Sequence, residues 1–65
     1  MLDRLLELIE PEFEATTRRA FRRQVIDGVP ARAVAAELRM TVNAVLIAKS
    51  RVLSRLRREA DGLVD

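Results

Sequence analysis

The side chains with the most specific chemistry in this sequence lie between positions 41 and 55, where amide, hydroxyl and guanidinium groups recur at helical spacing. In a DNA groove an asparagine can pair with adenine, an arginine with guanine and a serine with either base, and an isoleucine can contact the thymine methyl group. At about 100° per residue, an α-helix places four such side chains on or beside one outward face. The candidate base-reading residues are Asn43, Ile47, Ser50 and Arg51.

A second set of polar and basic side chains suits phosphate groups, because contacts to the DNA backbone come from helix ends and from the helix that precedes the reading helix. A basic helix face is often only a solvated surface, and arginine-rich helical bundles also serve as protein adaptors. DNA binding is therefore a hypothesis at this point. The candidate phosphate-contacting residues are Arg32, Thr41, Lys49 and Arg55.

The charged residues are unevenly distributed, and the basic ones are almost all arginine. Of 12 basic residues, 11 are arginine, whose planar fork matches phosphate and guanine. Positions 1–14 hold one basic and five acidic residues, a net charge of −4, whereas positions 15–65 hold 11 basic and five acidic residues, a net charge of +6. We expect the acidic start to face away from a bound polyanion, because like charges repel.

Cysteine and histidine are both missing from the sequence. Zinc sites of the Cys/His kind, thiol nucleophiles and Ser-His-Asp triads are therefore excluded. The carboxylates of Asp27, Glu37 and Glu59 fall in no catalytic arrangement, and 65 residues leave little room for an enclosed pocket. We expect no enzymatic activity, no cofactor and no metal. The lack of cysteine and of any apolar run near the about 20 residues of a membrane span favours a soluble cytoplasmic protein.

The apolar, proline and glycine residues predict a single all-α domain of three to four helices over residues 1–65. The composition is 49% hydrophobic and 3% aromatic, with two glycines and two prolines, which disfavours disorder and β-structure. Pro11 suits the first position of a helix, and Gly28 suits a left-handed cap at its end. A stripe of Leu2, Leu5, Leu6 and Ile9 predicts a short helix, or a linker remnant, over 1–10. The other predicted helices cover 11–27, 31–38 and 42–60.

The last two predicted helices form a helix-turn-helix without a wing. The small Ala35 allows the two helix axes to cross closely, and Thr41 is a competent N-cap for the second helix. Apolar side chains fill the angle between the helices and continue as a buried stripe along the second one. The angle is filled by Val34, Leu38, Met40 and Val45, and the stripe consists of Val45, Ala48, Val52 and Leu56.

Residues 10–60 resemble the fourth, C-terminal conserved region of bacterial sigma factors of the extracytoplasmic-function group. The segment that carries the resemblance is GVPARAVAAELRMTVNAVLIAKSRVLSRLRRE. In that family a helix with aromatic residues precedes a glycine, as Phe13, Phe21 and Gly28 do here. A Val-Ala-x-x-Leu stretch, a threonine cap, a buried valine and a basic run follow. The matching residues are Val34, Ala35, Leu38, Thr41, Val45, Lys49, Arg51, Val52, Arg55 and Leu56.

The resemblance implies a domain that reads the minus-35 element of double-stranded promoter DNA through the major groove and directs transcription initiation. Its implied protein partners are the flap of the RNA polymerase beta subunit and an anti-sigma factor, and we expect a monomer. Their contact surface is expected on the first two helices. The stripe of the first helix is expected mainly to complete the core, and any part of Leu5, Leu6 and Ile9 left exposed would offer an apolar groove. The chain corresponds to a piece of a longer sigma factor or to a stand-alone relative.

Two residues depart from the pattern of that family. Arg39 stands where the family usually has glycine, so either Arg39 is left-handed at a cost of about 1 kcal/mol or the turn differs. Lys49 stands where leucine is common. It must extend along the edge of the core, or the helix is rotated so that Ala48 and Val52 carry the packing.

Two alternative functions remain. One is a helix-turn-helix output domain of the response-regulator kind, which usually dimerises through its last helix. The other is a helical protein-interaction module without a nucleic-acid role, in which the arginine face meets an acidic partner. Salt dependence separates the second alternative from DNA binding, since about five phosphate contacts predict a log-log slope near −4 to −5.

Overall fold

The computed structural model describes the backbone of residues 2–64 and the side chains of residues 4–62. Within that part of the chain every regular element is helical and no strand occurs, which confirms the predicted all-α class. The side chains of Leu2 in the predicted stripe and of Asp3 in the acidic start lie outside the described residues. The helices are α1 (Leu2–Ile9), α2 (Ala15–Val25), α3 (Ala31–Leu38) and α4 (Val42–Val64).

The segment between α1 and α2 differs from the prediction, because Pro11 does not open the second helix. Glu10–Glu12 form one turn of 3-10 helix, closed by a 3.0 Å hydrogen bond from the Phe13 N–H to the Glu10 carbonyl. Phe13 is extended, with φ −115° and ψ 154°, and so is Glu14, with φ −66° and ψ 154°. The extended residues carry the chain across to Ala15 and let the Phe13 side chain pack against the core.

Helix α2 also ends earlier than predicted, at Val25 rather than at residue 27. Gly28 nevertheless has the left-handed conformation predicted for it, with φ 71°. Beyond it, the Val29 N–H donates a hydrogen bond of 2.8 Å to the Arg23 carbonyl. Glycine adopts a positive φ without a steric penalty, so this position lets the chain turn from α2 into α3.

The connection between α3 and α4 consists of the three residues 39–41, and α3 coincides with its predicted range. Arg39 is left-handed, with φ 55° and ψ 44°. Of the two alternatives for this position, a left-handed arginine or a different turn, the structure has the first. The N–H groups of Arg39 and Met40 both donate to the Ala35 carbonyl, the second at 2.9 Å. Thr41 caps α4 as predicted, because its Oγ1 accepts a 3.0 Å hydrogen bond from the Ala44 N–H.

The core consists of two clusters that share α2 and α4. The first cluster forms where α1, α2 and α4 pack together. The second cluster forms where α2, α3 and α4 pack together. The predicted stripe of α4 is buried along its length and contributes to both clusters, so its prediction is confirmed. The first cluster contains Leu6, Ile9, Phe21, Val52 and Leu56, and the second contains Ala20, Val34, Ala35, Val45 and Ala48.

The last helix is longer than predicted, since α4 continues past residue 60 to Val64. Each added residue contributes one backbone hydrogen bond to an existing helix, which offsets the low helix propensity of Gly62.

Among the described residues, none of the helices is both long and apolar enough to cross a membrane.

Candidate nucleic-acid interface

The outward face of α4 carries the four predicted base-reading side chains. Asn43, Ser50 and Arg51 are exposed, and Ile47 is 43% exposed. Because the opposite stripe of the helix is locked into the core, the rotation of α4 about its axis is determined, and this face is the one left to solvent. The structure therefore brings these four side chains together on one accessible surface.

Three of the four predicted phosphate-contacting residues are at least partly accessible to solvent. Arg32 is exposed in the first turn of α3, and Thr41 is exposed at the start of α4. The Thr41 oxygen accepts the Ala44 N–H, so the hydroxyl proton is left to donate to a ligand. Lys49 is half-buried at the flank of α4, and the buried residues on either side of it in the inner stripe are Ala48 and Val52.

Arg55, the fourth predicted phosphate contact, is occupied by carboxylates of the protein itself. Its guanidinium donates two hydrogen bonds to Glu12, at 2.9 and 3.0 Å, and one of 2.9 Å to Glu59. The hydrogen bonds that Arg55 donates to Glu12 and, second in size, to Glu59 raise the pKa of Arg55 above its ordinary value. A phosphate must therefore compete with two carboxylates for Arg55, whereas Arg32 and Arg51 form no ion pair with a described side chain.

One residue of the acidic start, Glu12, lies beside the candidate reading surface, whereas the acidic start is expected to face away from bound DNA. Glu12 reaches α4 and lies beside Ser50 and Arg51, two of the predicted base-reading residues. Glu12 is the last residue of the 3-10 turn after α1, and its side chain contacts α4 at Arg55. In the free protein no bound polyanion is present to repel this carboxylate. Its placement is therefore determined by attraction to the nearest guanidinium, that of Arg55.

The ion pairs leave a net positive surface on α3 and α4. Among the described side chains, five carboxylates form ion pairs, and their partners are Arg22, Arg23 and Arg55. Residues 31–62 contain seven basic and three acidic residues, a net charge of +4. Six of these seven form no ion pair with a described side chain. They are Arg32, Arg39, Lys49, Arg51, Arg57 and Arg58.

The pattern of residues did not indicate a cleft beside the outward face of α4. It has a volume of about 390 Å³ and lies between Glu12 and Phe13, before α2, and the middle of α4. Ser54 and Arg58 belong to it, although neither was among the predicted site residues. Ser50, Ser54 and Arg58 follow one another at every fourth position, which places them on one helix face and is visible in the sequence. The opposite wall of the cleft is formed by Phe13, which is distant in the sequence, so the spacing could not indicate the cleft itself.

The apolar groove predicted on the first two helices is only partly available. Leu6 and Ile9 are fully buried in the first cluster, and Leu5 is half-buried against it. The exposed apolar side chain of α1 is instead Leu8, with 61% of its surface accessible. Among the described residues of α1, the apolar side chain accessible to a partner is therefore Leu8 rather than the predicted stripe.

No group of three or more potential metal-binding side chains occurs among the described residues.

Comparison of the chain with models of known protein families, with curated proteins and with solved structures finds no match. The function must therefore be inferred from the geometry and charge of α3 and α4.

Proposed function

We propose that this chain is a helix-turn-helix domain that binds double-stranded DNA through α4. More narrowly, we propose that it acts as the fourth region of an extracytoplasmic-function sigma factor and recognises a promoter minus-35 element. The observation that carries the proposal is the accessible surface of α4, on which Asn43, Ile47, Ser50 and Arg51 lie opposite a fully packed inner stripe. An amide, a hydroxyl, a guanidinium and a methyl-bearing side chain together match the groups that the major groove presents.

The connection between α3 and α4 supports this proposal. Ala35 is 6% exposed and packs in one cluster with Val45, so the two helices are in close contact near the turn. The left-handed Arg39 and the capping Thr41 end one helix and begin the next within three residues. This arrangement leaves the outer side of the first turns of α4 exposed to solvent, where a reading helix contacts base edges.

The charge distribution supports a polyanionic partner. The basic side chains that form no ion pair with a described side chain include Arg32 and Arg39 before the reading residues and Arg57 after them, so they flank the predicted reading surface on both sides along the chain. In the proposed complex Asn43 reads adenine, Arg51 reads guanine, and Arg32, Thr41 and Lys49 contact phosphates. The flap of the polymerase beta subunit and an anti-sigma factor are the proposed protein partners, and Leu8 is an accessible apolar contact for either.

The proposal is tested by NMR titration of the isotope-labelled chain with a short duplex that carries a GAAC-type minus-35 sequence, at low and at moderate salt. We expect shifts over residues 41–55 that fade as salt rises, with a log-log slope of roughly −4 for the association constant. A duplex of the same length with a scrambled sequence is the control for base reading.

Poly-glutamate of similar charge distinguishes DNA binding from binding of an acidic protein. Shifts of equal size on the same residues with poly-glutamate and with both duplexes would contradict a DNA-reading function and favour the interaction module.

A further inference from the structure

The cleft beside α4 combines basic and hydroxyl groups in a way suited to a phosphate. Arg51 and Arg58 are exposed and form no ion pair with a described side chain. The Ser50 and Ser54 hydroxyls lie on the same stretch of helix, and the half-buried Phe13 ring forms an apolar wall. The complete lining is Glu12, Phe13, Ser50, Arg51, Ser54, Arg55 and Arg58.

An anionic group already occupies two of the donors of this cleft. The Glu12 carboxylate accepts two hydrogen bonds from the guanidinium of Arg55, through Nε at 2.9 Å and Nη2 at 3.0 Å. This two-bond geometry is the one in which arginine also binds a phosphate. The side chains remain 30% exposed for Arg55 and 48% exposed for Glu12, so an ion from solvent can compete for the guanidinium.

We propose that this cleft binds a backbone phosphate of the DNA, and that Glu12 holds the place of that phosphate on Arg55 in the free protein. The inference rests on the DNA binding proposed above and adds Ser54 and Arg58 to the interface. On binding, the phosphate displaces the carboxylate from Arg55, while Glu59 keeps its own hydrogen bond to the same guanidinium.

The position of the cleft along α4 fits the dimensions of a DNA groove. Ser54 and Arg58 lie one and two turns beyond Ser50, or roughly 6 and 12 Å along the axis at 1.5 Å per residue. The major groove is only about 12 Å wide and is bordered by rows of phosphates. When Asn43 and Arg51 face the bases, the part of α4 beyond Arg51 therefore approaches one phosphate row with the cleft on its flank.

The test compares the affinity of three proteins for one duplex by fluorescence anisotropy at several salt concentrations. They are the unmodified chain, Glu12→Gln and Glu14→Gln. Glu14→Gln is the control, because it removes the same charge as Glu12→Gln two positions along the chain. Glu14 is exposed and forms no ion pair with a described side chain. We expect Glu12→Gln to bind about threefold more tightly than Glu14→Gln at low salt. That advantage should shrink as salt screens the carboxylate.

A second pair of variants tests the cleft without altering Glu12. Arg58→Ala removes a cleft residue and Arg57→Ala removes its exposed neighbour, which does not line the cleft. We expect Arg58→Ala to weaken DNA binding about threefold more than Arg57→Ala at moderate salt, as expected for one phosphate contact. The amide signals of both variants, recorded without DNA, report whether the fold is retained.

The outcomes separate this inference from the proposed function. If the unmodified chain binds the duplex but Glu12→Gln equals Glu14→Gln and Arg58→Ala equals Arg57→Ala, the cleft proposal is wrong and DNA binding stands. If no protein of the set binds DNA, both proposals are wrong. Titration with inorganic phosphate identifies the source of the anion, because shifts at Phe13 and Ser54 with phosphate but not with duplex would assign the cleft to a free anion and overturn the proposal.

Discussion

The side-chain amide of Gln24 donates a hydrogen bond to the backbone carbonyl of Val45, 3.2 Å away, and thereby connects the end of α2 to the inner stripe of α4. The same amide nitrogen also donates to the Ala20 carbonyl of its own helix at 3.0 Å. Val45 is fully buried, so this contact acts at the point where the rotation of α4 is determined. The outward direction of Asn43 and Ile47 depends on that rotation.

Replacing Gln24 by methionine tests this connection. The substitution keeps the length of the side chain and removes both hydrogen bonds, and no helical carbonyl is left unpaired because each also has a partner within its helix. We expect the free energy of unfolding to fall by about 1 kcal/mol, measured by urea denaturation. An unchanged midpoint would show that packing alone determines the rotation of α4.

Close contact between α3 and α4 requires a small residue at position 35. Ala35 is buried in the second cluster, whereas Ala36, its neighbour in the same helix, is exposed. We expect Ala35→Leu to lower the free energy of unfolding by about 1–3 kcal/mol, because the added methyl groups force the helices apart. Ala36→Leu is the matched control and should change it by less than about 0.5 kcal/mol. Equal losses in thermal denaturation would contradict a close crossing at Ala35.

The left-handed conformation of Arg39 predicts a stabilising substitution. Arg39 has φ 55° and is exposed, so glycine relieves the backbone strain without removing a buried side chain. We expect Arg39→Gly to raise the free energy of unfolding by about 0.5–1 kcal/mol and the melting temperature by a few degrees. A lower melting temperature would indicate that the Arg39 side chain makes a stabilising contact.

The ion pair of Glu10 predicts how stability changes with pH. Arg22 donates hydrogen bonds of 2.6 and 3.1 Å to the Glu10 carboxylate, which lower the pKa of Glu10 below its ordinary value of 4.5, although burial opposes the shift. A lowered folded-state pKa contributes stability that is present above about pH 4.5 and is lost as the pH falls through the folded value. We expect the free energy of unfolding to decrease on acidification below about pH 4.5.

Glu10→Gln isolates this contribution. At neutral pH we expect it to be less stable by about 1 kcal/mol, and to lose less stability than the unmodified chain between about pH 5 and pH 3. The remaining loss includes that of Glu37, since a hydrogen bond from Arg23 lowers its pKa as well. Parallel pH profiles for the variant and the unmodified chain, from chemical denaturation, would contradict a role for Glu10.

The proposed division between base reading and phosphate contact predicts different losses for two arginines. Arg51→Ala should cost about 1–3 kcal/mol at the cognate site and relax specificity there. Arg32→Ala should weaken binding to all sequences alike and reduce the salt slope by about 1. Affinities for cognate and scrambled duplexes check both, and equal losses on both duplexes for each variant would refute the assignment.

Local signals in the sequence were sufficient for the helices that carry the candidate site. The apolar stripe of α4, the Thr41 cap and the left-handed Gly28 each depend on residues within about one helical turn, and each is found in the structure. Pro11 was ambiguous, because a proline fits a 3-10 turn as well as the first position of an α-helix. The local pattern therefore missed the extended residues Phe13 and Glu14.

The sequence by itself determined the helical class, the inner and outer faces of α4 and the excess of arginine, because period, composition and capping act over short distances along the chain. Only the tertiary structure decided which arginines remain unpaired. Glu12 meets Arg55 across 43 positions and Glu10 meets Arg22 across 12, and both pairs form because the packing of α1 and α2 against α4 brings these groups within range of each other. Charge interactions depend on distance in space, which no spacing in the sequence specifies.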